Sequence, residues 1–182
     1  GARVRGLGRI RATNRTGGDE PMDEQAQAAK KTLLRMIPYG LYVLGVRDGD
    51  EVSAAAINWV TQTSFTPPLV AMGVKKDSGA YALLKRTGTF ALSFLESGQG
   101  DIAYAFFKPT TVEGSTINGQ ETETASNGAP VIAAAPGYIE GRVVGEVDLG
   151  DHSCVVGEVT HAVLKREAKP LTLDELGVKY GG

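Results

Sequence analysis

Asn58-Trp59-Val60-Thr61-Gln62-Thr63-Ser64-Phe65-Thr66-Pro67-Pro68 is the stretch on which the fold turns. It reads as the end of a strand whose polar side chains run into a Pro-Pro stop, where no backbone N–H is left to continue a ladder. Asn58, Thr61, Gln62, Thr63 and Ser64 place many hydrogen-bonding groups at one strand end, and such groups need partners. Two readings satisfy them: a polar ligand held there, or an edge strand facing water. Strand alternation puts Asn58 and Trp59 on opposite faces.

The flanking sequence is mainly strand. Upstream, 39–47 is a strand, Asp48-Gly49-Asp50 a hairpin turn and 51–61 the returning strand. Ala54, Ala55 and Ala56 on that strand fill little core, so they admit either a flat ligand or another backbone. Downstream, 69–74 is a short apolar strand, Lys75-Lys76-Asp77-Ser78 a loop, and Ser78 the cap of a helix running to about Arg86. A strand follows over 89–95, a short helix over 99–107 and a polar loop over 110–128. Residues 138–147 and 152–164 then pair across Asp148-Leu149-Gly150-Asp151. Before all of these, Asp23 caps a helix over 24–36 that Pro38 ends. Hairpins with a few helices between them predict a mainly β fold with peripheral helices, an antiparallel barrel. A doubly wound parallel sheet needs a helix after nearly every strand, and the chain lacks them.

Composition narrows the function classes. A chain of 182 residues suits one core-forming domain over 22–182. Residues 1–21 carry five arginines and almost no large apolar side chain, which predicts a disordered basic tail, a tag or upstream sequence, with Met22 a natural start. The net charge of −2 argues against a nucleic-acid surface, and no apolar run is long enough for a membrane span. A single cysteine, Cys154, makes no internal disulfide and leaves no Cys/His cluster for zinc, which favours a reducing cytoplasm. His152 and His161, nine apart on one strand, face opposite sides by alternation, so no metal site is expected.

Three groups carry candidate chemistry. The polar strand end is the first. The second is Lys75, Lys76 and Ser78, where ammonium groups, a hydroxyl and a helix N-terminus suit a phosphate dianion; the alternative is a solvated turn. The third is His152, directly after a tight turn: either a polar group near a redox or proton-transfer centre, or a structural histidine bonding a carbonyl. Trp59, Phe106 and Phe107 suit an aromatic ligand or the core.

The order of these segments resembles the flavin reductase-like family. The resemblance rests on Ser64-Phe65-Thr66-Pro67-Pro68, the Lys75–Ser78 loop, Phe90-Ala91-Leu92-Ser93-Phe94-Leu95, the helix at 101–107, and Gly150-Asp151-His152 followed by Gly157-Glu158-Val159. It covers 37–182. Two departures bear on it: the chain ends Lys179-Tyr180-Gly181-Gly182 where the family often has Y-H-G-G, and Gln62 stands where smaller or apolar residues are common. The resemblance implies an FMN-binding split β-barrel, a homodimer with flavin near the subunit interface, and hydride transfer from NAD(P)H to FMN, with FAD in its place as the variant. Asn58, Trp59, Thr61, Gln62, Thr63 and Ser64 would then contact flavin, Lys75, Lys76 and Ser78 the phosphate, and His152 the reactive edge or nicotinamide. Two alternatives stay open: an electron-transfer flavoprotein that keeps FMN bound and serves a redox protein partner, and a non-enzymatic flavin-binding protein.

Overall fold

The computed structural model describes residues 20–182, so the expectation for the basic tail lies almost wholly outside the described residues. The elements, in order, are α1 (Glu24–Met36), β1 (Tyr42–Asp48), β2 (Glu51–Ile57), β3 (Val60–Ser64), β4 (Leu69–Lys75), α2 (Gly79–Thr87) and β5 (Thr89–Phe94). They continue with α3 (Gly100–Ala105), β6 (Val112–Glu113), β7 (Thr116–Ile117), β8 (Gln120–Thr124), β9 (Pro130–Ile132), β10 (Gly137–Val147) and β11 (His152–Leu164). Contacts divide the chain into two units: the residues up to Ile37 with Tyr180–Gly182, and Pro38–Lys179.

In the first unit, Asp23 caps α1 by accepting from the Ala26 amide at 2.7 Å, and Arg35 Nε donates to the Gly181 carbonyl at 3.1 Å. None of the α1 residues is buried; Leu33 and Met36 stand exposed.

The second unit is built on one antiparallel seven-stranded sheet, ordered β2-β1-β5-β10-β11-β4-β3. Its two edge strands, β2 and β3, are consecutive in sequence with only Asn58 and Trp59 between them. Two residues span at most about 10 Å between strand ends. The sheet therefore curls until its edges approach at this corner. No ladder joins β2 to β3 among the described residues, so the barrel is split there. The continuous strand expected over 51–61 is thus two strands; the chain breaks at Asn58 because it must cross from one sheet edge to the other.

Leu44, Met72, Phe90, Leu92 and Val155 fill the barrel, and Leu83 and Leu84 of α2 close it. The Phe90 ring lies over Gly141 and Gly157, where any Cβ would collide with it. The opposite face of β1 is buried too, by Ile102 and Phe106 of the α3 region, Ile132 and the Leu171 segment. The expected 110–128 loop is instead mostly a small four-stranded sheet, β6-β7-β8-β9. Its polar strands are short, but Asn118 (φ 50°) and Gly119 (φ 76°) form the left-handed pair a two-residue hairpin turn requires.

A second correction concerns the histidines. Gly141 pairs with Val159 and Glu140 with His161, which leaves Thr160 as an extra residue in β11. The bulge cancels the alternation, so His161 shares a face with Glu140 and, by register, with His152. The two histidines still sit about 30 Å apart along the strand, far beyond a shared metal.

Candidate functional site

The split corner brings together what the sequence separates. The Trp59 ring lies across Gly73 of β4, where a Cβ would approach Trp59 Cε3 to 2.9 Å, and the Gly73 amide donates to the Trp59 carbonyl at 2.8 Å. The glycine inside this apolar strand is what admits the indole. On the next strand, Cys154 is the register partner of Gly73 and His152 that of Lys75. The His152 ring consequently meets Trp59, with centroids 4.6 Å apart and planes tilted by 51°; Tyr39 stands 6.5 Å from the same indole. His152 Nδ1 is 2.8 Å from Asp151 Oδ1, and the imidazole is largely buried while Asp151 is exposed. This bond holds the Asp151 carboxyl below its usual range.

Asn58 gives the clearest signal. It is 8% exposed, and its Nδ2 has no hydrogen-bond partner among the described residues. Leaving a buried amide donor unpaired costs about 1–3 kcal/mol, so a partner from outside the chain is the natural completion. The polar edge of a flavin supplies such a partner, and the residues present fit it. The other members of the stretch behave differently. Thr61, Gln62 and Thr63 are exposed on the edge strand β3, the water-facing alternative, and Ser64 is half-buried. Gln62 Nε2 donates to the Ser64 carbonyl at 3.2 Å and Thr61 Oγ1 to the Gln62 carbonyl at 3.3 Å. The small residues of β2 are met by the chain itself: the Ala56 amide donates to the Phe106 carbonyl at 3.0 Å, and the Ala54 amide to the Thr110 side-chain Oγ1 at 3.1 Å. Phe106 is core and Phe107 is exposed.

Ser78 caps α2 as expected, accepting from the Tyr81 amide at 3.1 Å and donating to the Lys75 carbonyl at 2.7 Å. Lys75 lies 3.6 Å from Asp77, both exposed. Lys76 forms an ion pair with Asp148 that raises its pKa, and its amide donates to the Asp151 carbonyl at 3.1 Å. The loop before α2 is therefore tied to the turn that carries His152.

Sequence reasoning missed Gly73 and Glu146. The first had a readable signal, a glycine within an apolar strand. The second had none: Glu146 gathers hydrogen bonds from Tyr81, from Lys85 at 2.6 Å and from Ser153 at 2.6 Å, partners scattered over the chain.

Comparison with known proteins agrees with this geometry. The family model described as the flavin reductase like domain matches residues 34–181. The ferric-chelate reductase (NAD(P)H) of Archaeoglobus fulgidus is 30% identical over 139 residues, 75% of this chain and 82% of that protein. Diflavin flavoprotein A 1 of Synechocystis is 33% identical over 123 residues, 67% of this chain but 22% of that protein, so the chain spans about a fifth of such relatives. Among solved structures, the Streptomyces globisporus NADH:FAD oxidoreductase SgcE6 superposes with a TM-score of 0.66 at 28% identity, covering 81% of this chain and 89% of that one. On the family-model match over most of its length and the 30% identity to the ferric-chelate reductase, the chain belongs to the flavin reductase-like domain family.

Proposed function

We propose that the chain is a flavin reductase that passes hydride from NAD(P)H to FMN, or to FAD in its place. The observation that carries this reading is the buried Asn58 Nδ2, with no hydrogen-bond partner among the described residues, one position before the Trp59 that meets His152. When bound, the flavin supplies an acceptor at N5 for the hydride leaving nicotinamide C4, so two electrons and one proton pass across and NAD(P)⁺ remains. The protein's part is to bind, orient and exclude water. Asn58 would donate to the flavin's polar edge, with Trp59 beside the ring system. Thr61, Gln62, Thr63 and Ser64 would line the strand end. Lys75, Lys76 and the α2 N-terminus capped by Ser78 would hold the phosphate. His152, held at Nδ1 by Asp151, would stand on the nicotinamide side.

The proposal includes a homodimer, supported by the family and by an α1 helix that buries none of its residues. It also includes a cytoplasmic setting, supported by the lone free thiol of Cys154. No helix among the described residues is long and apolar enough to cross a membrane.

An absorbance spectrum of the purified protein before and after anaerobic NADH or NADPH tests the reading. A flavin spectrum that bleaches on reductant is expected. A protein that shows neither heat nor fluorescence quenching with FMN or FAD ends it. The second reading, an electron-transfer module with tightly bound FMN, draws on the diflavin relatives, in which the matched part is about a fifth of the chain. FMN that survives gel filtration and is reduced only slowly by NAD(P)H favours that reading.

A further inference from the structure

The turn that presents His152 is gripped on both sides. Outside, Lys76 holds it through its amide on the Asp151 carbonyl and its ammonium on Asp148. Inside, Ser153 is fully buried, and its hydroxyl donates to Glu146 at 2.6 Å. Glu146 belongs to β10 opposite Val155, so its carboxylate points into the barrel mouth under the turn. There it also accepts from Tyr81 Oη and from Lys85 Nζ at 2.6 Å, both on α2. Tyr81 has a second duty, since its amide donates to the capping hydroxyl of Ser78. One carboxylate thus joins the start of β11, the end of β10 and α2. Burial works to raise its pKa, but hydrogen bonds from Lys85, Ser153 and Tyr81 prevail and hold it at about 2, so it is ionised at any working pH.

Adjacent strand residues point to opposite faces, so fixing Ser153 inward fixes the direction in which His152 leaves the backbone. We propose that Glu146 is a positioning residue for the reaction: through Ser153, Tyr81 and Lys85 it locks the His152 turn onto α2 and sets the imidazole against Trp59. The inference rests on the reading of His152 as the nicotinamide-side residue. It assigns Glu146 no contact with flavin or nicotinamide. The consequence is that the phosphate end and the hydride end of the site move as one body.

The test is Glu146→Gln, which keeps size and removes the charge, studied with saturating FMN at a temperature where the protein is folded. Two readouts separate positioning from mere stability. The first is the rate of anaerobic flavin bleaching by NAD(P)H in stopped flow. The second is the emission lifetime of Trp59, the sole tryptophan and the ring that His152 touches. A bleaching rate lowered about tenfold is expected, since displacements of about 1 Å cost that much or more. FMN affinity should stay within about twofold, and the Trp59 lifetime should shift. Adding Glu146→Gln to His152→Ala should lose nothing further, because both changes act through one ring. Lys85→Met, at a half-exposed site, should give a smaller loss in the same direction. The inference is overturned if the folded variants bleach at the parent rate while only the melting temperature falls, or if the two losses multiply. A His152→Ala protein that bleaches normally would instead remove the reading of His152 itself.

Discussion

The two ends of the β10–β11 hairpin differ in every respect that matters to chemistry. At the His152 end the side chains are polar and tied down: Glu146 with three donors, Lys76 with Asp148, His152 between Asp151 and Trp59. At the other end, Gly137, Tyr138, Val163 and Leu164 line a largely apolar cavity of about 370 Å³ with Phe94 and Pro170, and Leu164 is well exposed. The same two strands therefore build one end whose polar groups converge on a carboxylate and an imidazole, and one that is largely apolar, with Arg166 tied to Glu96 at its rim. Hydride transfer tolerates little displacement, so the His152 end is the one suited to it.

The largest expected effect separates the ends directly. His152→Ala should slow flavin bleaching by about ten- to a hundredfold in folded protein, as loss of a positioned group does. Leu164→Ser at the apolar end should leave the rate within about twofold. Equal losses at both ends would abolish the distinction. The next effect carries two signs. Asn58→Leu removes a buried donor that has no partner among the described residues, so the flavin-free protein should melt at the same temperature or higher. Flavin affinity should fall about tenfold, the value of one buried hydrogen bond to the ligand. A variant that melts lower while still binding flavin as before would show that the amide serves the fold.

The phosphate residues sharpen the comparison further. Lys75→Ala should weaken FMN several-fold and riboflavin hardly at all, because only FMN carries the dianion. Lys76→Ala should weaken FMN less selectively and slow bleaching as well, since Lys76 also holds the His152 turn through Asp148. Titrating both ligands against both variants checks this. Identical behaviour of the two lysines would mean that the Asp148 pair carries no mechanical weight.

How far the sequence revealed this arrangement depends on how local each cause is. The β10–β11 hairpin was legible because long strands flank an acidic glycine turn, and β11 begins and ends where the pattern says. The α2 cap was legible because a serine before a helical run has one common use. The small sheet β6–β9 was obscured by its polar strands, although Asn118-Gly119 marks its central turn. The break at Asn58 was not legible, since only the strand order of the whole sheet shows that β2 and β3 are its opposite edges. At the site, the approach of Trp59 to His152 follows from the ordered motifs. The bulge at Thr160 and the carboxylate hub at Glu146 do not, because each is set by residues far apart in the chain.

The smallest expected effect is thermal and depends on pH. Glu146 has a folded-state pKa of about 2 against an ordinary value of 4.5. A depressed carboxyl pKa stabilises the fold fully above the unfolded value, and that stability drains away as pH falls through the folded one. For Glu146 the window runs from about 4.5 down to about 2. Asp151 and Glu175 are shifted in the same direction, so the parent curve alone mixes several groups. The difference between parent and Glu146→Gln melting temperatures isolates the one carboxylate. That difference should be a few degrees and level above pH 5, then shrink steadily below about 4.5 as the parent loses its ionised hub. The same subtraction for Leu164→Ser should be flat across the range, because the apolar end holds no group that titrates in this window at position 164. A Glu146 difference that is also flat would mean that the hub bonds do not persist in solution, and the contrast between the two ends of the hairpin would then rest on Trp59 and His152 alone.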